Sequence, residues 1–353
     1  MKIAVGLSGG VDSAVAAFLL HREGNEVIGT IMKIWDGSST DIKKGNGCYG
    51  PDEEDDIEDV KRICDTIGIK LRIVDCAKEY KEIVLANFRE EYQKGRTPNP
   101  CVRCNQSIKF GILPSILKTS GISFNRFATG HYAQIAYDSN TKRYYLKKAV
   151  DPQKDQTYFL YRLSSSQLSQ ILFPIGQYTK TQVREIAKTA GLPVSNKGES
   201  QDFFNGDYSD LLENSDKEGN IRNTEGEILG KHRGIWKYTI GQRKGLGVYH
   251  KKPLYVLKID DKKNEIIVGE REFLFSKGLI AKECNIFFDK LPESGYAKIR
   301  SNSTEHRCHI ERTEKTKLKV VFDDPQSAVT PGQSVVLYGK DIVLGGGIID
   351  RAF

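Results

Sequence analysis

The 353-residue chain has no run of about 18 apolar residues, the length a bilayer-spanning helix requires, so neither a membrane-embedded protein nor a membrane partner is expected. It begins without the basic, apolar and small-residue order of a secretory leader and enters a strand pattern at Lys2, from which a cytoplasmic location is expected. Cysteine is sparse. Seven, an odd number over this length, give no disulfide framework and leave core thiols, metal ligands or reactive sulfur. Low-complexity tracts are missing as well. With 39% hydrophobic and 28% charged residues the chain can build packed cores, and its length predicts two or three domains. Charge of one sign is not concentrated: the net +7 is spread over both halves and fits a solvated mixed surface as well as an anionic partner.

The chain opens on Ile3-Ala4-Val5-Gly6-Leu7-Ser8-Gly9-Gly10-Val11-Asp12-Ser13, a short apolar strand that breaks into a glycine-rich polar turn and then an apolar helix at Ala14 to Leu20. Such a turn lets backbone NH groups approach a phosphate, and the helix start adds unpaired NH groups and partial positive charge. Ser8 and Ser13 supply hydroxyls; Asp12 can cap the helix or reach a magnesium ion that accompanies a nucleotide. The turn matches neither GxxxxGK[ST] nor GxGxxG.

Strand and helix patterns then alternate. Val27 to Ile34 reads as a strand, Asp56 to Ile67 as a helix, Leu71 to Val74 as a strand and Tyr80 to Lys94 as an amphipathic helix, with a further strand near Arg126 to Ala128. Helices are expected at Ser165 to Leu172 and Thr181 to Ala190. The alternation predicts an α/β fold with a doubly wound parallel sheet, whose ligand lies beyond the carboxyl ends of the strands. Met32, at one such end, is placed either to touch an adenine or to fill the core. The loop from Asp36 to Asp55 is long, polar and glycine-rich, and it contains Gly47-Cys48-Tyr49-Gly50.

Gly95-Arg96-Thr97-Pro98-Asn99-Pro100-Cys101-Val102-Arg103-Cys104-Asn105 carries the most chemistry. Its prolines stop the preceding helix. Cys101 and Cys104 stand at CxxC spacing beside a helix start, where NH groups and Arg103 are expected to lower the thiol pKa; such a pair can hold a metal or cluster or form a redox disulfide. Ala128-Thr129-Gly130-His131-Tyr132 ends a strand in a turn on the same sheet edge, and Lys154, Asp155 and Gln156 lie in a charged turn that either meets a phosphate or base or is simply solvated.

From about residue 206 the alternation stops. Trp236 to Gly245 interleaves aromatic and basic side chains, a composition suited to an RNA backbone, and residues 273–353 are short β-rich runs that fit a small antiparallel barrel. The expected division is residues 1–205, 206–272 and 273–353: a catalytic sheet domain, a small β-rich domain that binds RNA, and a C-terminal β-barrel.

The loop at residues 6–13 resembles the SGGxDS loop of the PP-loop ATP pyrophosphatases, a HUP-like fold. Together with MK at 32–33, GRTPNPCVRCN at 95–105, IKFG at 108–111, ATGHY at 128–132, KDQTYFLY at 154–161, ESQD at 199–202, YTIGQRKGLG at 238–247 and TPGQSVVLY at 330–338, the chain is similar to the MnmA family of tRNA-specific 2-thiouridylases over nearly its whole length. The resemblance implies a sulfurtransferase acting on the wobble uridine of tRNAs for lysine, glutamate and glutamine. ATP adenylates the C2 oxygen, and sulfur displaces AMP. It further implies that Gly6, Leu7, Ser8, Gly9, Gly10, Val11, Asp12, Ser13, Met32 and Gly130 bind ATP, with Asp12 in a catalytic role. Asn99, Pro100 and Cys101 would lie against the target base, while His131, Lys154, Asp155, Gln156, Arg300, Ser301 and Gln333 would touch tRNA. Cys104 matches the nucleophile.

Two positions depart from the family pattern. Cys101 stands where Asp is usual, and Phe204 stands where a second catalytic cysteine is usual. Sulfur chemistry that dispenses with a carrier at position 204 is therefore expected: Cys48, Cys101 and Cys104 as ligands of a [4Fe-4S] cluster with one open iron, fed by a cysteine desulfurase, a relay protein or free sulfide. The competing expectation is a persulfide and disulfide pair at Cys101 and Cys104, with structural zinc behind it. Cys64, Cys76, Cys284 and Cys308 are read as structural. Two other classes are a PP-loop ligase that activates a small acid, which needs neither the CxxC nor the β-rich half, and a non-catalytic tRNA-binding protein, which needs no intact Ser8 to Ser13 loop.

Overall fold

The structure, a computed structural model, describes residues 1–37, 47–195, 203–212 and 216–353. The ESQD motif at 199–202 and residues 38–46 of the long loop lie outside these. The chain divides into two compact units, each discontinuous in sequence: Met1–Val84, Pro100–Asp207 and Asp341–Val343 form one, and Leu85–Asn99, Tyr208–Lys340 and Leu344–Phe353 the other.

In the first unit β1 (Lys2–Gly6), α1 (Val11–Arg22), β2 (Glu26–Lys33), α2 (Glu53–Ile67), β3 (Lys70–Asp75), β4 (Arg126–Thr129) and β7 (Ile171–Leu172) build a parallel sheet of order β3-β2-β1-β4-β7. Ile3, Ala4 and Val5 of β1 are fully buried, as the unbroken apolar run requires of a central strand. Strand order reverses at β1, which has β2 on one side and β4 on the other. A crevice beyond their carboxyl ends is the place such a sheet offers a ligand. Helix α1 is apolar on nearly every face and buries Val15, Ala16 and Leu19 beside Val183 and Ala187. Helix α2 is amphipathic: its acidic first turn suits the positive end of the helix dipole, its buried stripe is Val60, Ile63 and Cys64, and Gly68 in the left-handed region ends it. A Cβ on Gly29 would stand 2.7 Å from the Cys64 sulfur, so this strand glycine is what lets α2 lie against the sheet.

Two expected helices are corrected. Residues 77–93 are not one uniform helix but an α-turn (Ala77–Tyr80), a π-helical stretch (Lys81–Leu85) and an α-helix (Ala86–Gln93). The helix opened by the Ser164–Gln167 capping box closes at Leu168. Ile171 and Leu172 instead add an edge strand beside Phe127 and Ala128, because pairing the open edge of β4 satisfies more backbone than one further helical turn. A hairpin of β5 (Gln134–Asp138) and β6 (Arg143–Lys147), absent from the sequence expectation, turns through Lys142 at φ 53°.

The second unit holds a four-stranded sheet, β10-β11-β8-β9, from β8 (Gly219–Arg222), β9 (Ile228–His232), β10 (Tyr255–Asp260) and β11 (Glu265–Gly269). It also holds an antiparallel barrel of β12 (Phe275–Ile286), β13 (Ser294–Lys298), β14 (His306–Glu314), β15 (Lys317–Ser327), β16 (Ser334–Gly339) and β17 (Ile342–Ala352), in the order β12-β15-β14-β13-β16-β17, closed by β12 pairing with β17. The reading of Trp236 to Gly245 as an aromatic and basic RNA surface is corrected in part. Trp236 and Tyr238 are buried, Tyr238 in the apolar core with Ile221 and Val256, while the basic Lys237, Arg243 and Lys244 are exposed. Interior packing of the rings removes more apolar surface from water than an exposed stacking platform would.

Candidate active site and its relatives

The turn after β1 folds back on itself. Ser8 N donates to Ser13 Oγ at 3.2 Å, Ser13 Oγ donates to the Gly10 carbonyl at 3.1 Å, and Gly9 takes φ +69°. Asp12 does not cap α1; Gly10 is the N-cap and no side chain closes the helix start, which leaves its NH groups for a ligand. The Asp12 carboxylate instead meets Lys180, whose Nζ lies 2.8 Å from both oxygens, and the Tyr132 hydroxyl, which donates at 2.9 Å. Lys180 was not singled out from the sequence. A lysine at the first position of a helix, against the dipole, was the signal available.

Gly130 lies directly on this turn. A Cβ there would fall 2.4 Å from Ser13 N and 2.7 Å from Asp12 O, so Gly130→Ala must push β4 off α1. The variant is expected to lose about 3 kcal/mol of stability and most nucleotide binding, read by thermal melting and ATP titration; wild-type values in both would contradict this packing. Met32, next to last in β2, is half-buried and paired with Val74, at the same carboxyl edge as Gly6 and Thr129.

His131 follows on. Thr129 Oγ1 and His131 Nδ1 are 2.8 Å apart, and the imidazole packs against Phe110 and Phe173 at 5.7 and 6.0 Å. Burial and the Lys109 ammonium hold its pKa well below the usual histidine value, so the ring is neutral at pH 7 and presents a hydrogen-bonding group rather than a cation. Gln156 Oε1 accepts from Tyr132 N, and Asp155 accepts from Ala149 N and from Thr157 Oγ1. Gln156 thus fastens the turn that carries Tyr132, while Asp155 ties Ala149 to Thr157.

Cys101 and Cys104 lie on one helical stretch, Pro100–Cys104, which runs into a π-helix at Asn105–Ile112. The expected lowering of thiol pKa is corrected for Cys104: burial lifts it to about 11 against the opposing pull of Lys109, because desolvating a thiolate outweighs one nearby charge. The structure brings the loop of Cys48 to the same place. Fully buried Tyr80 stacks on Tyr49 at 5.4 Å; burial first, and then the electrostatic influence of Cys104, Cys101 and Cys48, raises its pKa, so the loop of Cys48 and the CxxC stretch both bear on this one phenol. Tyr49 N donates to Phe203 O, and a Cβ on Gly47 would stand 3.1 Å from Phe204 Cα. Cys48 is thus next in sequence to a residue that packs on the backbone of position 204. Among the described residues no three His, Cys, Asp or Glu side chains form a group that could hold a metal ion. The buried Cys64, Cys76 and Cys308 thiols are pushed up to about 11, 12 and 12, as structural thiols are.

In the second unit the segment before the CxxC is clasped by the C-terminal strands and turns. Arg96 donates to the Ile349 and Asp350 carbonyls, Gln333 Nε2 donates to the Thr97 and Pro98 carbonyls at 3.0 and 3.2 Å, and Gly332, at φ +93°, would place a Cβ 2.8 Å from Thr97. Gln333 therefore orders the tract that ends in Asn99. Exposed Arg300 turns its guanidinium to the Ala328 carbonyl, and Ser301 beside it is half-buried.

Comparison with known proteins agrees with this geometry. Family models described as a tRNA methyl transferase HUP domain, a tRNA methyl transferase PRC-barrel domain and an aminomethyltransferase β-barrel domain match residues 1–204, 210–270 and 276–349. The chain is 52% identical to a tRNA-specific 2-thiouridylase MnmA of Endomicrobium trichonymphae over 99% of both chains, and 47% identical, with the same coverage, to that of Acetivibrio thermocellus. A protein of the same name from Clostridioides difficile is 44% identical over 99% of this chain and 98% of its own. Full-length identity of this order, with family models matching residues 1–204, 210–270 and 276–349, means that the chain belongs to the MnmA family of tRNA-specific 2-thiouridylases.

Proposed function

We propose that the protein converts the wobble uridine of tRNAs for lysine, glutamate and glutamine into 2-thiouridine, in the cytoplasm. ATP and a magnesium ion serve the first step. The C2 oxygen of uridine attacks the α-phosphorus, the α–β bond breaks, and pyrophosphate leaves; a sulfur nucleophile then adds at C2 and AMP departs with the former carbonyl oxygen. The observation that carries the reading is the interlock of Gly130 with Asp12 and Ser13, a glycine turn before a helix start that no side chain caps, at the reversal point of the sheet. Gly6 to Ser13, Met32 and Gly130 are the residues assigned to ATP. Asn99 to Cys101 are assigned to the target base, and His131, Lys154, Asp155, Gln156, Arg300, Ser301 and Gln333 to tRNA.

Sulfur is assigned to the thiols around Tyr80. Their donor chemistry and number suit a [4Fe-4S] cluster with three protein ligands, which when bound would leave one iron open to carry sulfur. Among the described residues they do not form a group that could hold a metal ion as they stand. That same observation favours a second reading, in which Cys104 carries a persulfide and Cys101 releases its outer sulfur by forming a disulfide, a cycle that needs an external thiol reductant. The test is anaerobic purification with iron and sulfide analysis, alongside ATP-dependent thiolation of tRNA transcripts. Thiolation with stoichiometric iron supports the cluster, thiolation without iron supports the persulfide, and no tRNA-dependent pyrophosphate release overturns the function itself.

A further inference from the structure

The helix Lys180–Thr189 begins at a Thr179–Gln182 capping box, and Lys180 occupies its first turn, where a cation opposes the helix dipole. The side chain is nevertheless 11% exposed. Its backbone NH donates to Asp151 at 2.9 Å, its Nζ lies 2.8 Å from both Asp12 oxygens, and the ammonium is 5.9 Å from the Tyr132 ring centroid. Asp12 therefore already holds a cation on the face that a magnesium ion would need. Two cations cannot share that carboxylate at these distances without strong repulsion in so sheltered a site.

We infer that Lys180 is a further catalytic residue: it neutralises Asp12, and it would pass to the pyrophosphate part of ATP where Asp12 held a magnesium ion instead. The inference rests on the reading of the loop as an ATP site. Displaced from Asp12, Nζ remains tethered beside the loop, because Asp151 and the capping box fix the start of its helix. When the α–β bond breaks, its electron pair passes to the leaving pyrophosphate, and a charge-assisted hydrogen bond from a sheltered ammonium stabilises that charge with no proton transferred.

The full-length protein is titrated with inorganic pyrophosphate by calorimetry, with and without magnesium, and each variant is first melted to show that it is folded. With magnesium, Lys180→Met is expected to weaken pyrophosphate binding about tenfold or more and to slow tRNA-dependent pyrophosphate release about a hundredfold, with Lys180→Arg recovering part of both. Without magnesium, Asp12→Asn is expected to bind pyrophosphate more tightly than wild type, since Lys180 is released. The uncharged pair Asp12→Asn/Lys180→Met should lose that gain. A gain that persists in the double variant, or unchanged binding and release in Lys180→Met, overturns the role of Lys180 alone. A wild-type protein that neither binds pyrophosphate nor releases it from ATP overturns the ATP reading and this inference with it.

Discussion

Asp12→Ala is expected to reduce ATP-dependent pyrophosphate release by about a hundred- to a thousandfold while tRNA affinity stays within about twofold of wild type. The size follows from what the carboxylate does. It is the acidic side chain of the phosphate turn, on the α1 turn that Gly130 overlies, and it balances Lys180. Removing it takes away the proposed magnesium ligand and the carboxylate that a sheltered ammonium faces at 2.8 Å. The second effect costs about 1–3 kcal/mol of stability, less than for a fully buried pair because Asp12 keeps 28% of its side-chain surface in water. Melting must therefore show the variant folded at the assay temperature. Filter binding of labelled tRNA and release of labelled pyrophosphate then separate the two activities. Wild-type release would remove Asp12 from the chemistry, and loss of tRNA binding in step with release would make its role one of general folding.

Cys48→Ala carries the second large effect. This thiol is exposed, whereas Cys104 is sheltered with its pKa near 11, and its loop is held by Tyr49 at both the Tyr80 ring and the Phe203 carbonyl. Under the cluster reading the variant loses bound iron and tRNA thiolation together, yet still releases pyrophosphate in response to tRNA, because none of the residues proposed for adenylation is Cys48. Under the persulfide reading it thiolates normally. Iron and sulfide content, 2-thiouridine by mass spectrometry and pyrophosphate release are measured on one preparation. Full thiolation by iron-free Cys48→Ala protein would sink the cluster and leave Cys101 and Cys104 as the sulfur pair. The high Cys104 pKa bears on both readings: at neutral pH this thiol is protonated, so a metal, a persulfide or a local base must stabilise its anionic form.

By itself the sequence determined the parts that short-range periodicity and turn chemistry encode. The apolar run at Ile3 to Val5, the glycines at 9 and 10 and the helix behind them specify a strand, a turn and a helix whatever lies elsewhere, and they formed as expected. The acidic start and left-handed glycine stop of α2 are equally local. Tertiary structure decided whatever depends on distant neighbours. Asp12 read as a helix cap or a metal ligand; the fold left the helix without a side-chain cap and brought Lys180, 168 residues away, onto the carboxylate. Cys104 lay beside a helix start and a nearby arginine, features that favour thiolate, yet burial, which spacing does not report, set its pKa. Trp236 and Tyr238 alternated with lysines as an RNA surface would, but a small β core required their rings inside. Gln333 acquired its purpose only when the barrel closed and the Thr97 and Pro98 carbonyls came within reach. Hydrogen bonds along the chain follow from residue order, whereas desolvation and ion pairing follow from which surfaces the finished topology presses together.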